Sequence, residues 1–140
     1  MSVEQNKMIA ERLPVEISQG KMSIFDEVID AKAVDHSLPP GLPPTVEGTK
    51  QFFAGFRAAF PDLKYKIEDT IAEGDYVVQR LTGTGTMKGA FQGMPPSNKS
   101  AKWEEIHIVR LANGKVVEHW ANVDQMKMLT DLGFVQPPKM

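Results

Sequence analysis

The sequence contains no cysteine among its 140 residues. This absence excludes disulfides, thiolate metal sites and cysteine nucleophiles. An excess of charge of one sign is also lacking, because 16 basic and 18 acidic residues give a net charge of −2. A nucleic-acid-binding surface needs a basic patch, and none is visible, so we predict no nucleic acid partner.

Long hydrophobic runs are missing as well. None approaches the ~18 residues that a membrane span requires. The N-terminal stretch MSVEQNKMIAERLPVE is polar and lacks the apolar core of a signal peptide. We therefore predict a soluble, cytoplasmic protein with no membrane contact. The length and the 41% of hydrophobic residues fit one globular domain over residues 1–140.

Motifs for common cofactors do not occur. There is no Rossmann glycine pattern, and Gly114-Lys115 is followed by Val116 rather than by the Ser or Thr of a phosphate loop. The three histidines lack a close ligand spacing such as H-E-x-x-H. We therefore predict neither a cofactor nor a metal site.

The first half of the chain has helical patterning. Residues 3–19 place apolar side chains near one face, and Pro14 predicts either a kink or the start of a second helix. A short extended stretch is expected from Ala31 to Ser37. Four phenylalanines then recur at helical spacing between Phe52 and Phe60, and Pro61 ends that helix.

From Leu63 onward the apolar period changes to two, which predicts strands. Further strands are expected at Tyr76 to Met87, Lys102 to Leu111 and Val116 to Asp124, with a hairpin turn at Asn113-Gly114 and a last helix from Gln125 to Leu132. Helices followed by an antiparallel meander predict an α+β domain, with the helices packed on one face of a bent sheet.

Several segments, in this order and spacing, resemble the SnoaL-like polyketide cyclases. They are Val34-Asp35-His36, Ala59 to Leu63, Ala72 to Asp75, Gly83-Thr84, Gly89 with Gly93 to Pro96, and Asn113 to Trp120. The resemblance implies the NTF2-like fold, in which a curved, cone-shaped sheet surrounds a small-molecule pocket. It also implies cofactor-free intramolecular aldol condensation, the reaction of the characterised cyclases.

The sequence departs from the cyclase pattern at two pocket positions. The aspartate that acts as acid and base in those cyclases corresponds to Ala121, which has no proton to transfer. Met87 stands where those cyclases and their relatives often carry histidine. One motif is kept, because Glu105-Ile106-His107 occupies the place of a Gln-x-His pair associated with the cyclase pocket.

The turn at Asn113-Gly114 leaves two strand registers open. A two-residue turn sets His107 opposite Trp120, whereas a three-residue turn beginning at Ala112 sets His107 opposite His119. The two registers turn opposite faces of the last strand toward the pocket. The resemblance favours the second, because the cyclase acid and histidine share one cavity. In that register the pocket gathers Glu105, His107, His119 and Ala121, and Arg110 pairs with Glu118 on the other face.

His107 is the leading candidate for proton transfer, because an imidazole titrates near neutrality. Glu105 lies two residues away on the same strand face and can fix the tautomer, and His119 is the other candidate for orienting the ring. We expect ligand contacts from four further residues, which are His36, Met87, Trp103 and Ala121.

Ketosteroid isomerisation, a second reaction of NTF2-like proteins, is less well supported by the sequence. Those isomerases place their catalytic aspartate near the position of Asp35 and His36, but they also need a phenol donor near the first helix. Tyr65 and Tyr76 are the only tyrosines here, and both fall in predicted strands.

Three functions remain open from the sequence. The first is a cyclase-like or isomerase-like proton-transfer enzyme, which the retained Glu105 and His107 favour. The second is a module that binds a small apolar ligand without turnover, which Ala121 and Met87 favour. The third is assembly through the outer sheet face. Apolar residues occur in both strand phases, as in Ile106 and Ile108 against Val109 and Leu111, which predicts a homodimer.

Overall fold

The computed structural model describes residues 1–137. Its elements are α1 (Val3–Ser18), α2 (Ile24–Val28), β1 (Ile29–Asp35), α3 (Val46–Ala59), β2 (Lys64–Glu73), β3 (Tyr76–Thr86), β4 (Ser100–Ala112), β5 (Lys115–Val123) and α4 (Gln125–Leu132). The predicted α+β class is confirmed, and the last helix has the predicted bounds. No helix in the described part of the chain has the length and apolarity to cross a membrane.

Helix α1 starts at a capping box and passes through a proline. The Ser2 hydroxyl accepts from the Gln5 backbone N–H, and the Gln5 side chain accepts from the Ser2 backbone N–H. Pro14 lies inside the helix without ending it, so no second helix starts there. The Ser18 hydroxyl donates to the Pro14 carbonyl oxygen at 2.7 Å, which satisfies an acceptor in the last turn.

The sheet is curved and has the strand order β1-β5-β4-β3-β2. Strands β2 to β5 pair antiparallel, as predicted. The edge strand β1 pairs parallel with β5, which makes the sheet mixed and sets Asp35 beside His119. A strand from the first part of the chain thereby contributes a residue to a site on the last strand.

The β4–β5 hairpin follows neither of the two predicted registers. Its turn has two residues, Asn113 and Gly114, both with positive φ, and Leu111 pairs with Val116. The register then shifts, so that Arg110 pairs with Glu118 and Val117 is the extra residue of a β-bulge. His107 therefore lies opposite Ala121 instead of Trp120 or His119, although the pocket face is the one that the resemblance favoured.

One large apolar cluster fixes the helices on the concave face. It joins Ile17, Phe25, Phe56 and Leu132, one from each helix, to Trp103 of β4. Gly83 lies opposite Trp103, and a Cβ there would lie 2.6 Å from the indole. The missing side chain therefore lets this ring lie flat on β3, where it is 1% exposed.

Candidate functional site

Two adjoining cavities open between the sheet and the helices. The larger has a volume of about 330 Å³ and is called the outer cavity, and the smaller has a volume of about 70 Å³ and is called the inner cavity. Both are bounded mainly by apolar side chains, and no Lys or Arg lines either within the described residues. The residues common to the two walls, which mark their junction, are Asp35, Phe53, Tyr65, His107 and His119.

Glu105 and His107 form the first polar pair at this junction. Alternation along β4 turns both side chains inward, and His107 Nε2 lies 2.6 Å from Glu105 Oε1. The other carboxylate oxygen accepts from the Trp103 indole N–H at 2.7 Å. Glu105 is 4% exposed, and each of its two carboxylate oxygens has a side-chain partner.

His119 continues the network across the sheet. Its Nε2 lies 2.8 Å from His107 Nδ1, the two ring planes are within 19° of parallel, and the ring centroids are 5.0 Å apart. An N–H···N bond lies in the ring plane of both partners, so the contact is an edge-to-edge hydrogen bond rather than face-to-face stacking.

Asp35 closes the network from the edge strand. Its Oδ2 lies 3.0 Å from His119 Nδ1 and 3.0 Å from the Thr49 hydroxyl, which donates to it. Its Oδ1 accepts from the Ser37 backbone N–H at 2.9 Å. Burial raises the pKa of Asp35, but the bonds from His119, Ser37 and Thr49 outweigh it, so the pKa lies below its ordinary value.

The resulting chain, Asp35···His119···His107···Glu105, has three contacts, and each needs one proton. Asp35 is ionised, so His119 Nδ1 donates to it. Two neutral imidazoles supply only two ring protons. A third proton must therefore be shared among His119, His107 and Glu105, which leaves the four groups with a net charge of −1.

Tyr65 adds a second hydroxyl to the junction. It lies on β2 opposite Gly83 and lines both cavities. Burial, together with the nearby Glu105 carboxylate, raises the pKa of the Tyr65 phenol well above its ordinary range. Tyr65 is therefore a neutral hydrogen-bond donor at all physiological pH values.

The structure brings together Glu105, His107 and His119, the three residues predicted to be catalytic, and places Ala121 in the wall of the outer cavity. Met87 and Trp103 are instead enclosed in the apolar core, at 0% and 1% exposed. Trp103 reaches the site only through its bond to Glu105.

His36 points away from the site. Because side chains alternate along a strand, the inward direction of Asp35 sends the next residue outward. Its Nε2 pairs with Glu118 at 2.8 Å, its ring stacks on Trp120 at 5.0 Å, and Glu118 also accepts from Arg110 at 2.7 Å. Within the described residues, His36 is absent from the walls of both cavities.

Sequence reasoning did not assign Asp35, Thr49 or Tyr65 to this site. The sequence places Asp35 in one of the segments that resemble the cyclases and near the position of the isomerase aspartate, and it places Tyr65 in a strand. Its alternation with Lys64 and Lys66 was the available signal, since it predicts one inward face for β2. Thr49 lies on α3, where nothing in the local pattern distinguishes it from a helix-surface residue.

The chain matches the family model of the SnoaL-like polyketide cyclases over residues 7–132. Nogalonic acid methyl ester cyclase of Streptomyces nogalater is 26% identical over 111 residues, which cover 79% of this chain and 80% of that protein. The site described above therefore lies within the matched region.

Solved structures give the same fold. IdmH, a candidate polyketide cyclase from Streptomyces antibioticus, has a TM-score of 0.82 and 29% identity, covering 92% of this chain and 99% of its own. AclR, a candidate hydroxylase from Streptomyces galilaeus, has a TM-score of 0.86 and 26% identity, covering 96% and 99%. The NTF2-like fold is thereby confirmed.

Proposed function

This chain belongs to the SnoaL-like polyketide cyclase family, and we propose that it catalyses proton transfer and ring closure on a small, neutral, apolar carbonyl compound. The observation that carries the proposal is the pair of histidine–carboxylate dyads at the junction of the cavities. His107 is held by Glu105 and His119 by Asp35, and the remaining nitrogen of each ring is hydrogen-bonded to that of the other at 2.8 Å.

His107 Nε2 and His119 Nδ1 are held by the carboxylates. The other nitrogen of each ring, called the inner nitrogen, is therefore the one available for chemistry. The link between the rings is the only one of the three contacts that does not end on a buried carboxylate. We infer that a substrate carbonyl group enters between His107 Nδ1 and His119 Nε2. One inner nitrogen then carries a proton and the other has a free lone pair, because the two share one proton.

Such an arrangement supplies an acid and a base at once. The bare nitrogen removes a proton from the carbon next to the carbonyl, and the C–H electrons form the enol double bond. The protonated nitrogen of the other ring gives its proton to the carbonyl oxygen. The number of protons on the dyads is unchanged, and each such proton transfer contributes typically ~10²–10⁴-fold to a rate.

Ring closure follows from the same groups. The enol carbon attacks a second carbonyl carbon of the same molecule, and one carbon–carbon bond forms. The oxygen of that second carbonyl takes the proton that the base had removed, while the enol O–H returns its proton to the other ring. The product is a cyclic hydroxy ketone, and no redox partner is required.

The dyads also compensate for Ala121. This residue lies directly opposite His107 and lines the outer cavity, so the position of the cyclase aspartate is empty space beside an imidazole. The walls favour a substrate without a free carboxylate, since no Lys or Arg lines either cavity within the described residues. A few polar groups in an apolar cavity are typical of a small-molecule site.

The test is exchange of α-hydrogen for deuterium, because it reports enol formation even before ring closure. An anthracycline-type polyketide methyl ester is incubated in D₂O with the protein and followed by NMR. We expect His107→Gln and His119→Gln to lower the exchange rate by about 10²–10⁴-fold. His36→Gln changes the third histidine on the outer face and is expected to have little effect.

The alternative is a module that binds an apolar ligand without turnover. It is favoured by Ala121 and by the full pairing of all four ring nitrogens. If this alternative is correct, the ester binds but the wild-type protein exchanges its α-hydrogen no faster than buffer does. Equal exchange rates for the wild type and both dyad variants would also reject the catalytic proposal.

A further inference from the structure

Gln79 is a buried polar side chain that takes no part in the hydrogen-bond network described above. It lies on β3, is 5% exposed and lines the inner cavity. Its Nε2 has no hydrogen-bond partner among the described residues. Buried amides are nearly always paired, because an unpaired buried donor costs about 1–3 kcal/mol.

The position of Gln79 ties it to the reacting centre. Strand register sets it directly opposite His107 on β4, so the two side chains project from the same face of the sheet as neighbours. Most of the other side chains that line the inner cavity are apolar, as Leu81 and Val109 are. Both ring nitrogens of His107 are already paired, whereas the Gln79 amide nitrogen has no partner among the described residues and is available to a polar ligand atom that enters this cavity.

We propose that Gln79 binds a carbonyl or hydroxyl oxygen of the ligand in the inner cavity. Rotation about the last side-chain bond exchanges the positions of the amide nitrogen and oxygen, and this torsion is soft. The group can therefore present an N–H to a ligand oxygen. A volume of about 70 Å³ accommodates a few non-hydrogen atoms, which is the size of an acetyl group.

This inference deepens the proposed function, since an oxygen held by Gln79 would orient the ligand beside His107. It concerns binding alone, however, and its test needs no turnover. The failure of one proposal can therefore be told from the failure of the other. Loss of exchange in the histidine variants tests the dyads, whereas ligand preference in Gln79 variants tests this contact.

The experiment compares two probes of nearly equal shape. 2-Acetylnaphthalene carries a carbonyl oxygen, and 2-isopropenylnaphthalene carries a CH₂ group at the same place. Fluorescence titration gives the dissociation constant of each for the wild-type protein and for Gln79→Leu. We expect the wild type to prefer the ketone by about three- to tenfold, and Gln79→Leu to lose this preference.

Thermal unfolding of the same variants separates a ligand-binding role from a structural one. Removing an unpartnered buried amide is neutral or stabilising, so we expect Gln79→Leu to unfold at or above the wild-type temperature. Thr70→Val is the matched control. Its hydroxyl lies opposite Gln79 and is also buried without a partner among the described residues, but Thr70 lines neither cavity. It should leave the probe preference intact.

Two results would overturn the proposal. An equal preference for the ketone in the wild type and in Gln79→Leu would show that another group, such as a histidine, binds the ketone oxygen. A Gln79→Leu protein that unfolds several degrees lower, with the preference unchanged, would show that the amide supports the fold instead of a ligand.

Discussion

Asp35→Asn is predicted to reverse the hydrogen bond between residue 35 and His119 and thereby to fix the direction of the other two bonds in the histidine network. In the wild type, the ionised Asp35 accepts from His119 Nδ1 at 3.0 Å. An asparagine amide that donates to the same nitrogen forces His119 to carry its proton on Nε2. His119 then donates to His107, and His107 donates to Glu105. Two neutral imidazoles suffice for all three contacts, so the additional proton is released.

The change should cost both stability and activity. The bonds from the Ser37 N–H and the Thr49 hydroxyl lose their ionised acceptor. Bonds to charged groups exceed neutral ones by about 1 kcal/mol each, so we expect a loss of about 2 kcal/mol in the free energy of unfolding at pH 7. The network loses the additional proton that the wild type shares among the two rings and Glu105, which weakens the acid that faces the substrate, and we expect exchange to fall by about 10²–10⁴-fold.

The stability difference has a defined pH dependence. The pKa of Asp35 is lower in the folded protein than in the unfolded chain. Its stabilising effect is therefore complete above the unfolded value of about 4 and is lost as the pH falls through the folded value. Asparagine does not titrate. The part of the gap that comes from the Asp35 carboxylate should stay constant from pH 7 to pH 5 and close below pH 4.

The assay is long-range ¹H–¹⁵N NMR of the histidine rings, combined with urea unfolding at several pH values. We expect three ring N–H protons on the pair in the wild type, if the additional proton resides on a ring, and two in Asp35→Asn. The control is Asp62→Asn, because Asp62 accepts from the Thr86 N–H and hydroxyl away from the site and also has a lowered pKa. A His119 Nδ1 that stays protonated in Asp35→Asn would refute the reasoning.

Two further outcomes are expected. Wild-type protein should cyclise an anthracycline-type polyketide ester more slowly than an aspartate-bearing relative. The Ala121→Asp variant should be faster than the wild type, since it places a carboxylate opposite His107. A wild-type rate equal to that of the relative would contradict this expectation. The chain should sediment as a homodimer through the outer sheet face, where Ile71, Tyr76 and Ile106 are 64%, 46% and 48% exposed. Ile106→Lys should shift it toward monomer, and a wild-type monomer at high micromolar concentration would exclude the dimer.

Local patterns account for much of the fold. The bounds of the last helix could be predicted from the sequence because both ends carry a capping residue. Asp124 caps the start by accepting a hydrogen bond from the Lys127 backbone N–H, and Gly133 ends the helix with a φ of 88°. Glu105 and His107 could be placed on one face because alternation along a strand is a strict geometric rule. These features depend only on neighbours in sequence.

The rest of the site depends on pairing between distant segments. Asp35 meets His119 across 84 positions of sequence, through a parallel pairing that no local pattern encodes. The choice between Asp35 and His36 as the inward residue follows from that pairing. The sequence could place Trp103 and Met87 on the inner face of the sheet, but it could not predict that they are buried in the core instead of lining a cavity. Their burial depends on how closely Gly83 and the helices pack against them.

The bulge at Val117 decides what kind of site the fold contains. With a two-residue turn and no bulge, His107 would pair with Trp120, and His119 would face outward with Glu118 turned in. The extra residue restores the inward direction of His119 while keeping the tight turn. It also sets His107 opposite Ala121, one pair further along, so that the rings of His107 and His119 meet diagonally, edge to edge at 2.8 Å. In this way one inserted residue on the last strand sets a second histidine–carboxylate dyad against the first, beside Ala121.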